Sequence, residues 1–357
     1  MLSINERSES DKCVSRDFYQ KLEVRAAIFD EAGLENLRLV EVPPPEAKEG
    51  EIIVRVMVAG VNPIDYFVVS GMRKASPIPH IPGVEFAGLV EDVGPGVEGI
   101  KVGDKVIIYP RVFDGSCDLC TRGLEMLCRN GGLIGVVSNG CFAEGVKVSS
   151  KNVFKVEGHV DWELAASIPV SALTPYHALK QAHLGVGDLV VVVGAAGNTG
   201  MFAVQFANMM GARVIAVSRK DWIKEFGAHH VVGLENAHEE VKKVSEGKMA
   251  DVVIDSLGTS TFNKSLELVG LGGRLLTFGT LTGNEASVSI FSVYNRHISI
   301  LGCTGGTRGE MAEIIDIRNK LKVKVWKKFK LNEVRSAIES IFSKDRDGRI
   351  LLEINQP

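Results

Sequence analysis

One segment of the chain constrains the fold more than any other. Residues 189–193 are all apolar, residues 194–200 read Gly-Ala-Ala-Gly-Asn-Thr-Gly, and Met201–Met210 has the pattern of an amphipathic helix. A short, unbroken apolar run is typical of a strand that is buried on both faces. A strand, a glycine-rich turn and a helix in this order predict one βα unit of a parallel, doubly wound sheet.

The remainder of the chain divides into two patterns. Further strands alternating with helices are predicted at Arg213–Val217, Val252–Asp255, Arg274–Phe278 and Ile298–Leu301. The first half instead contains short alternating strands between turn signals, at Val24–Phe29, Leu37–Val42, Glu51–Val58, Glu85–Val93 and Lys105–Tyr109. Many short strands of this kind predict a barrel-like unit. A capped helix at Asp161–Ile168 is predicted where the two patterns meet.

Composition and charge exclude several classes of protein. The 357 residues carry a net charge of −3, so no basic surplus indicates a nucleic-acid partner. The basic stretch Arg318–Lys330 could contact RNA, but the alternation at residues 322–325 predicts a strand with one solvated face. No apolar run approaches the roughly 20 residues that span a bilayer, and residues 1–20 lack the apolar core of a secretory signal. We therefore expect a cytoplasmic protein with no membrane partner.

The glycine-rich turn predicts a dinucleotide site. Small residues let the backbone approach a pyrophosphate, and the helix N-terminus presents free N–H groups to it. The predicted cofactor-binding residues of the turn are Gly194, Ala196, Gly197, Asn198, Thr199 and Gly200. Ala196 occupies the second glycine position of the usual fingerprint. A glycine-rich turn without a ligand is the alternative.

The end of the next strand bears on the choice of cofactor. Sites for NAD usually have Asp or Glu there to bind the ribose hydroxyls. This chain has Ser218, Arg219 and Lys220 instead, so no carboxylate repels a 2′-phosphate and two cations can attract it. The sequence thus predicts NADPH in preference to NADH. The alternative is that Arg219 and Lys220 are ordinary solvated charges.

Three of the six cysteines lie within twelve residues of one another. Asp114, Cys117, Cys120 and Cys128 together offer three thiolates and one carboxylate. Four such ligands complete a tetrahedral zinc site without an open position, which is the structural kind. We predict one structural Zn²⁺ per subunit, with free thiols in a metal-free loop as the alternative.

Several motifs together resemble those of the medium-chain dehydrogenase/reductase family, which includes zinc alcohol dehydrogenases and quinone oxidoreductases. They are Ala-Gly-Val-Asn-Pro-Ile-Asp (59–65), Pro-Gly-Val-Glu-Phe-Ala-Gly (82–88), Val-Gly-Asp-Lys-Val (102–106), Gly-Cys-Phe-Ala-Glu (140–144), Leu-Thr-Pro-Tyr (173–176) and Gly-Arg-Ile-Leu-Leu (348–352). The resemblance implies an α/β protein with a GroES-like β-barrel catalytic domain and a Rossmann domain. The implied boundaries are a polar arm at 1–21, the GroES-like domain at 22–160 and 302–357, and the Rossmann domain at 161–301.

The departures from the family pattern concern its catalytic zinc. The resemblance places the three zinc ligands at Asn62, Val84 and near Val170. Valine has no lone pair, so we expect no catalytic zinc. The spacing Asn62-x-x-Asp65 resembles the zinc-independent quinone and enone reductases, and it implies catalytic roles for Asn62, Asp65 and Tyr66. Tyr109 is a further candidate acid.

The expected function follows from the loss of the catalytic zinc ligands. Quinones and α,β-unsaturated carbonyls spread the charge of an added hydride, so they need no Lewis acid. We predict an NADPH-dependent reductase of such small molecules. The alternatives are an alcohol or aldehyde dehydrogenase, and an NADPH-binding protein with little turnover. The resemblance implies a homodimer or homotetramer that pairs through Ser287–Leu301. It also implies contacts on the nicotinamide side from Thr174, Gly279, Thr280, Gly302, Cys303 and Thr304.

Overall fold

The computed structural model describes residues 23–356, so the predicted arm at 1–21 lies outside the described residues. The strands are β1 (Val24–Ile28), β2 (Arg38–Val42), β3 (Glu51–Gly60), β4 (Glu85–Val93), β5 (Lys105–Ile108), β6 (Arg111–Val112), β7 (Gly132–Leu133), β8 (Gly145–Ser149), β9 (Val153–Lys155), β10 (Leu189–Val193), β11 (Arg213–Val217), β12 (His230–Val232), β13 (Ala250–Asp255), β14 (Val269–Thr277), β15 (Ser299–Gly302), β16 (Val325–Lys330) and β17 (Arg349–Glu353). The α-helices are α1 (Pro63–Val69), α2 (Trp162–Ala165), α3 (Leu173–Gln181), α4 (Gly200–Met209), α5 (Ala237–Val244), α6 (Phe262–Leu268), α7 (Ile290–Asn295), α8 (Arg308–Asp316) and α9 (Val334–Glu339).

The second half of the chain forms a six-stranded parallel sheet. Its strand order is β12-β11-β10-β13-β14-β15, which is the doubly wound order of a dinucleotide-binding fold. Strand β10 is completely buried between β11 and β13, as its unbroken apolar run predicts. The order reverses at β10, so the glycine-rich turn that follows it opens into the crevice where such sheets bind ligands.

Five strands of the first half and two strands near the C-terminus form a seven-stranded sheet, and β1 pairs with β2 in a separate two-stranded sheet. The order is β16-β17-β3-β4-β5-β9, with β8 also paired to β3. Most of the pairings are antiparallel, whereas β16 and β17 run parallel at one edge. The predicted fold class is confirmed, since a GroES-like barrel sheet and a Rossmann sheet are both present. The domain boundaries stay a prediction.

Two local predictions need correction. The helix expected at 161–168 is capped by Asp161, whose Oδ1 accepts the N–H of Glu163 at 3.0 Å, but it ends at Ala165. Pro169 has no N–H to donate, and a wider helical turn at Ile168–Ala172 leads into α3. The strand expected from residues 322–325 begins only at Val325, because Gln205 bonds both backbone groups of Lys322.

One apolar core extends across both sheets. Val58 and Ile107 of the barrel belong to the same buried cluster as Val190 and Val192 of β10. Helix α4 lies within this cluster and is almost entirely buried. Close packing of this kind limits relative movement of the two sheets, so the cleft between them has defined walls.

Candidate active site

The glycine-rich turn has a backbone that only glycine can supply. Gly194 has φ +73°, a left-handed conformation that side chains disfavour. A Cβ on Gly200 would lie 2.3 Å from the carbonyl oxygen of Gly194, so the first turn of α4 sits directly against the loop. The N–H groups at the start of α4 lie in the turn after β10, at the carboxyl edge of the sheet. This donor set fits the pyrophosphate of a dinucleotide.

The other predicted cofactor residues lie at the same edge of the sheet. Because β10, β11, β14 and β15 are parallel, their carboxyl ends meet there. The residues that follow or end these strands are Ser218, Arg219 and Lys220 after β11, Gly279 and Thr280 after β14, and Gly302, Cys303 and Thr304 at and after β15. Thr174 lies in α3 and is buried. The tertiary structure thus brings the strand-end residues of the predicted set to one edge of the sheet.

The two cations after β11 have different surroundings. Lys220 Nζ lies 3.3 Å from Asp347 Oδ1, and the indole N–H of Trp222 donates to the same carboxylate at 2.8 Å. Arg219 is exposed and has no hydrogen bond or ion pair within residues 23–356. Lys220 is therefore partly neutralised, and Arg219 is the cation that remains available for an anion.

The side chain of Asn198 connects the glycine-rich turn to the barrel. Its Nδ2 donates to Asn62 Oδ1 at 2.8 Å and to the carbonyl oxygen of Val61 at 3.1 Å. Its Oδ1 accepts from the guanidinium of Arg346. The glycine-rich turn and the start of α1 are thereby held together across the cleft.

A buried ion pair supports Asn62 from the barrel side. Glu85 and Arg349 have fully buried side chains and lie 2.6 Å apart. Asn62 Nδ2 donates to Glu85 Oε2 at 2.8 Å, and Arg349 Nη1 donates to Asn62 Oδ1 at 3.0 Å. The other carboxylate oxygen, Glu85 Oε1, accepts the N–H groups of Val170 and Ser171 at 2.8 and 2.6 Å. The carboxylate is thus satisfied by protein groups, as a buried charge requires.

Asp65 is the least satisfied polar group of this cluster. Its Oδ2 accepts the backbone N–H of Asn62 at 2.7 Å, whereas the buried Oδ1 has no hydrogen-bond partner within the described part of the chain. Burial, reinforced by the charge of Glu85, raises the pKa of Asp65 to about 8. Asp65 is therefore protonated at neutral pH and holds the backbone of Asn62 at the start of α1.

The two candidate tyrosines differ in how deeply they are buried. Tyr66 is partly buried and packs edge-on against Phe342, with ring centroids 4.7 Å apart. Tyr109 is completely buried, and its hydroxyl donates to the carbonyl oxygen of Gly306 at 2.8 Å. Burial also raises the pKa of Tyr109 above its usual range. Because its hydroxyl hydrogen is already bonded to a backbone carbonyl in the core, Tyr109 does not fit the role of an acid.

The four predicted metal ligands converge in one loop. One ligand atom from each of Asp114, Cys117, Cys120 and Cys128 lies within 4.8 Å of the others, and no other such group occurs within residues 23–356. Hydrogen bonds from the N–H groups of Cys117 and Ser116 hold the pKa of Asp114 below its usual range. Burial raises the pKa of Cys120 to about 12. Three thiols and a carboxylate at this separation fit a tetrahedral Zn²⁺.

Comparison with known proteins agrees with both halves of this architecture. The family model described as "Alcohol dehydrogenase GroES-like domain" matches residues 48–158, and the model described as "Zinc-binding dehydrogenase" matches residues 199–320. An alcohol dehydrogenase of Geobacillus stearothermophilus is 30% identical over 330 residues, which cover 89% of this chain and 96% of that protein. The chain belongs to the medium-chain dehydrogenase/reductase family.

Two further relatives show the range of this family. An acryloyl-coenzyme A reductase of Sulfurisphaera tokodaii is 29% identical over 324 residues, covering 88% of this chain and 96% of that one. A thermostable alcohol dehydrogenase from Pyrobaculum aerophilum has a similar structure, with a TM-score of 0.87 and 40% identity over 93% of this chain and 99% of its own. This chain is therefore an oxidoreductase of the family.

Two arginine contacts in the site were not predicted from the sequence. Arg349 lies in the Gly-Arg-Ile-Leu-Leu motif, but its partner Glu85 is 264 residues away, so no local pattern predicts the ion pair. Arg346 lies outside every motif quoted above, yet its guanidinium contacts Asn198.

No helix within residues 23–356 is both long and apolar enough to span a membrane.

Proposed function

We propose that this medium-chain reductase uses NADPH to reduce a quinone or an α,β-unsaturated carbonyl without a catalytic zinc. The observation that carries the proposal is the chemistry at the three ligand positions of the family. Val84 is completely buried and has no donor atom, and the amide of Val170 is bonded to Glu85. The Asn62 carboxamide is held by Glu85, Arg349 and Asn198.

The proposed acceptor follows from that chemistry. Reduction of a simple carbonyl places a full charge on one oxygen, which a Lewis acid normally stabilises. A conjugated acceptor spreads this charge over several atoms, so positioning and hydrogen bonds suffice. When bound, the nicotinamide supplies the hydride, and the protein supplies its orientation and a proton source.

The roles we assign to the catalytic candidates are positional. Asn62 aligns the cofactor turn with the barrel through Asn198, and its second amide hydrogen can be donated to the cofactor ribose or to the acceptor carbonyl. Protonated Asp65 orients Asn62 by accepting its backbone N–H. Tyr66, held by Phe342, is the proposed proton donor.

Cofactor choice and metal content complete the proposal. Arg219 is exposed at the end of β11 without a partner in the described chain, which favours a 2′-phosphate at that position. We assign a structural role to Zn²⁺ in the cysteine lobe, the segment that carries Asp114, Cys117, Cys120 and Cys128, because three thiolates and a carboxylate close its coordination.

We also propose that two copies pair through residues 287–301. Helix α7 in this segment exposes Ile290, Phe291 and Tyr294, which are 79%, 62% and 67% exposed. Strand β15 is the edge of the parallel sheet, and an unpaired edge can continue into a second copy. An apolar patch beside such an edge is typical of an interface.

Oxidation of NADPH tests the proposed reaction. The acceptors are 9,10-phenanthrenequinone, a series of 2-alkenals, and saturated aldehydes of matched length. We expect turnover of the quinone and the alkenals, little turnover of the saturated aldehydes, and slower rates with NADH. The same panel is run after removal of zinc, with metal content measured in parallel.

Two outcomes would replace the proposal. The alcohol dehydrogenase relatives favour alcohol or aldehyde chemistry, and zinc-dependent turnover of ethanol or saturated aldehydes would establish it. Tight NADPH binding without turnover of any acceptor would instead indicate a binding protein. The Asn62→Ala and Tyr66→Phe variants then test the assigned roles, and unchanged rates in both would remove these residues from the site.

A further inference from the structure

Arg111 extends from the barrel onto the nicotinamide side of the cleft. It begins β6, directly after the Tyr109-Pro110 dipeptide, and its Nη2 donates to Thr304 Oγ1 at 2.9 Å. A Cβ on Gly305 would lie 3.1 Å from the same nitrogen. The guanidinium therefore rests against the loop after β15, which carries the predicted nicotinamide contacts.

No carboxylate of the described residues neutralises the positive charge of Arg111. Within residues 23–356 no Asp or Glu forms a salt bridge with it, and its buried Nε has no hydrogen-bond partner. Burial lowers the pKa of Arg111; the Tyr109 side chain opposes this effect, and the charge of Arg73 lowers the pKa further. A desolvated cation without a counter-charge is costly, which points to an anion that binds there.

A second cation, Arg73, acts on Arg111 through its charge, which lowers the pKa of Arg111. Arg73 follows α1 and is exposed, and its backbone N–H is held by the carbonyl oxygen of Phe67 at 2.8 Å. It too forms no ion pair in the part of the chain that the structure describes. An anion bound at Arg111 would offset the repulsion between these two like charges.

We propose that Arg111, assisted by the charge of Arg73, forms a carboxylate-binding subsite of the substrate cleft, so that the natural acceptor carries a carboxylate next to its reducible double bond. This inference rests on the proposed enone reduction. Arg111, fixed by Thr304 and by packing on Gly305, presents its remaining N–H groups to the carboxylate, and the charge of Arg73 adds a weaker attraction.

A suitable probe is trans-4-oxo-2-pentenoate. The hydride of NADPH would form a C–H bond at C2, which is β to the ketone and carries the carboxylate, while the carbon–carbon π bond breaks. The electron pair moves to the enolate of C3 and C4, and a proton then adds at C3. The products are 4-oxopentanoate and NADP⁺. The methyl ester of the same acid is the uncharged control.

The test compares the acid-to-ester ratio of kcat/KM between variants. We expect Arg111→Met to lower this ratio roughly 10- to 100-fold, as for a lost hydrogen bond to a charged group, and Arg111→Lys to restore part of it. Arg73→Met should give a smaller decrease. Lys101→Met, which removes an exposed charge elsewhere in the barrel half, should leave the ratio unchanged. Equal ratios in the wild type and Arg111→Met would overturn the subsite.

A binding measurement separates this inference from the proposed function. Calorimetry follows 4-oxopentanoate binding to the NADP⁺-loaded protein, so it needs no turnover. If Arg111→Met binds 4-oxopentanoate at least tenfold more weakly than the wild type, the subsite is supported even if no acceptor is reduced. Turnover of the ester combined with identical 4-oxopentanoate affinities would sustain the reductase activity and refute the subsite.

Discussion

Asn198 and Asn62 form a direct hydrogen bond across the cleft, with Nδ2 of the first 2.8 Å from Oδ1 of the second. Asn198 belongs to the glycine-rich turn, and Asn62 precedes the first helix of the barrel unit. The bond joins residues 136 positions apart. It couples the geometry of the glycine-rich turn to the Glu85–Arg349 ion pair, because both residues of that pair bond the same Asn62 carboxamide.

Replacing Asn198 by alanine removes this coupling. The variant loses the bonds to Asn62, Val61 and Arg346, so we expect the KM for NADPH to rise roughly tenfold and stability to fall by about 1–3 kcal/mol. Steady-state kinetics and urea denaturation measure both effects. Asn263→Ala, at an exposed position of α6, is the matched control. A KM equal to that of the wild type would show that the bond does not hold the cofactor turn.

Asp65 predicts an unusual dependence of stability on pH. Its pKa is raised to about 8 in the folded protein, so between about pH 4 and 8 the folded state binds a proton that the unfolded state has released. The stability contribution is thus full below the unfolded pKa and is lost as pH rises towards 8. Relative to Asp65→Asn, the wild type should lose about 1 kcal/mol per pH unit between about pH 5 and 7.

Urea denaturation of both proteins across this range measures the difference. Asp316→Asn, which changes an exposed carboxylate at the end of α8, controls for general charge effects. Parallel stability profiles for the wild type and Asp65→Asn would mean that Asp65 is ionised in the folded protein.

The cysteine lobe predicts a stoichiometric metal. We expect one zinc per chain by elemental analysis, and its loss in Cys120→Ser, because the three remaining ligands no longer complete the tetrahedron. A chelator should lower the melting temperature of the wild type and leave that of the variant unchanged. Cys303→Ser, outside the lobe, should retain its metal. Zinc-free wild-type protein of normal stability would contradict the assignment.

Arg219 predicts cofactor preference. Arg219→Ala should reduce the NADPH-to-NADH ratio of kcat/KM roughly tenfold or more, since a charge-assisted contact to the 2′-phosphate is lost. Lys220→Ala should have a smaller effect, because Asp347 already holds that ammonium group. Lys242→Ala on the exposed face of α5 is the control. Equal losses for both cofactors would indicate that Arg219 does not bind the phosphate.

The exposed face of α7 predicts association. Phe291→Glu places a charge in the apolar patch of Ile290, Phe291 and Tyr294, so we expect the mass measured by light scattering to fall to that of one chain. Glu267→Lys, at an exposed position of α6, should not change the mass. A wild-type protein that is already monomeric would remove the proposed interface.

The sequence by itself determined the parts of this protein that depend on local pattern. The apolar run of β10, the glycines after it and the spacing of the lobe cysteines each predict a structure within a few residues, because strand burial, tight turns and metal ligation act over short separations. The family motifs extended these predictions to both sheets. The approximate positions of β1 to β5 followed from apolar alternation.

The tertiary structure alone decided which distant side chains meet. Nothing local pairs Glu85 with Arg349, brings Asn198 to Asn62, or places Arg111 on the loop of Thr304. It also showed that Tyr109 is buried and bonded, and that Lys220 is paired whereas Arg219 has no partner among residues 23–356. Periodicity reports which face of an element is buried, but hydrogen bonds and ion pairs depend on side-chain positions that only the packed chain defines.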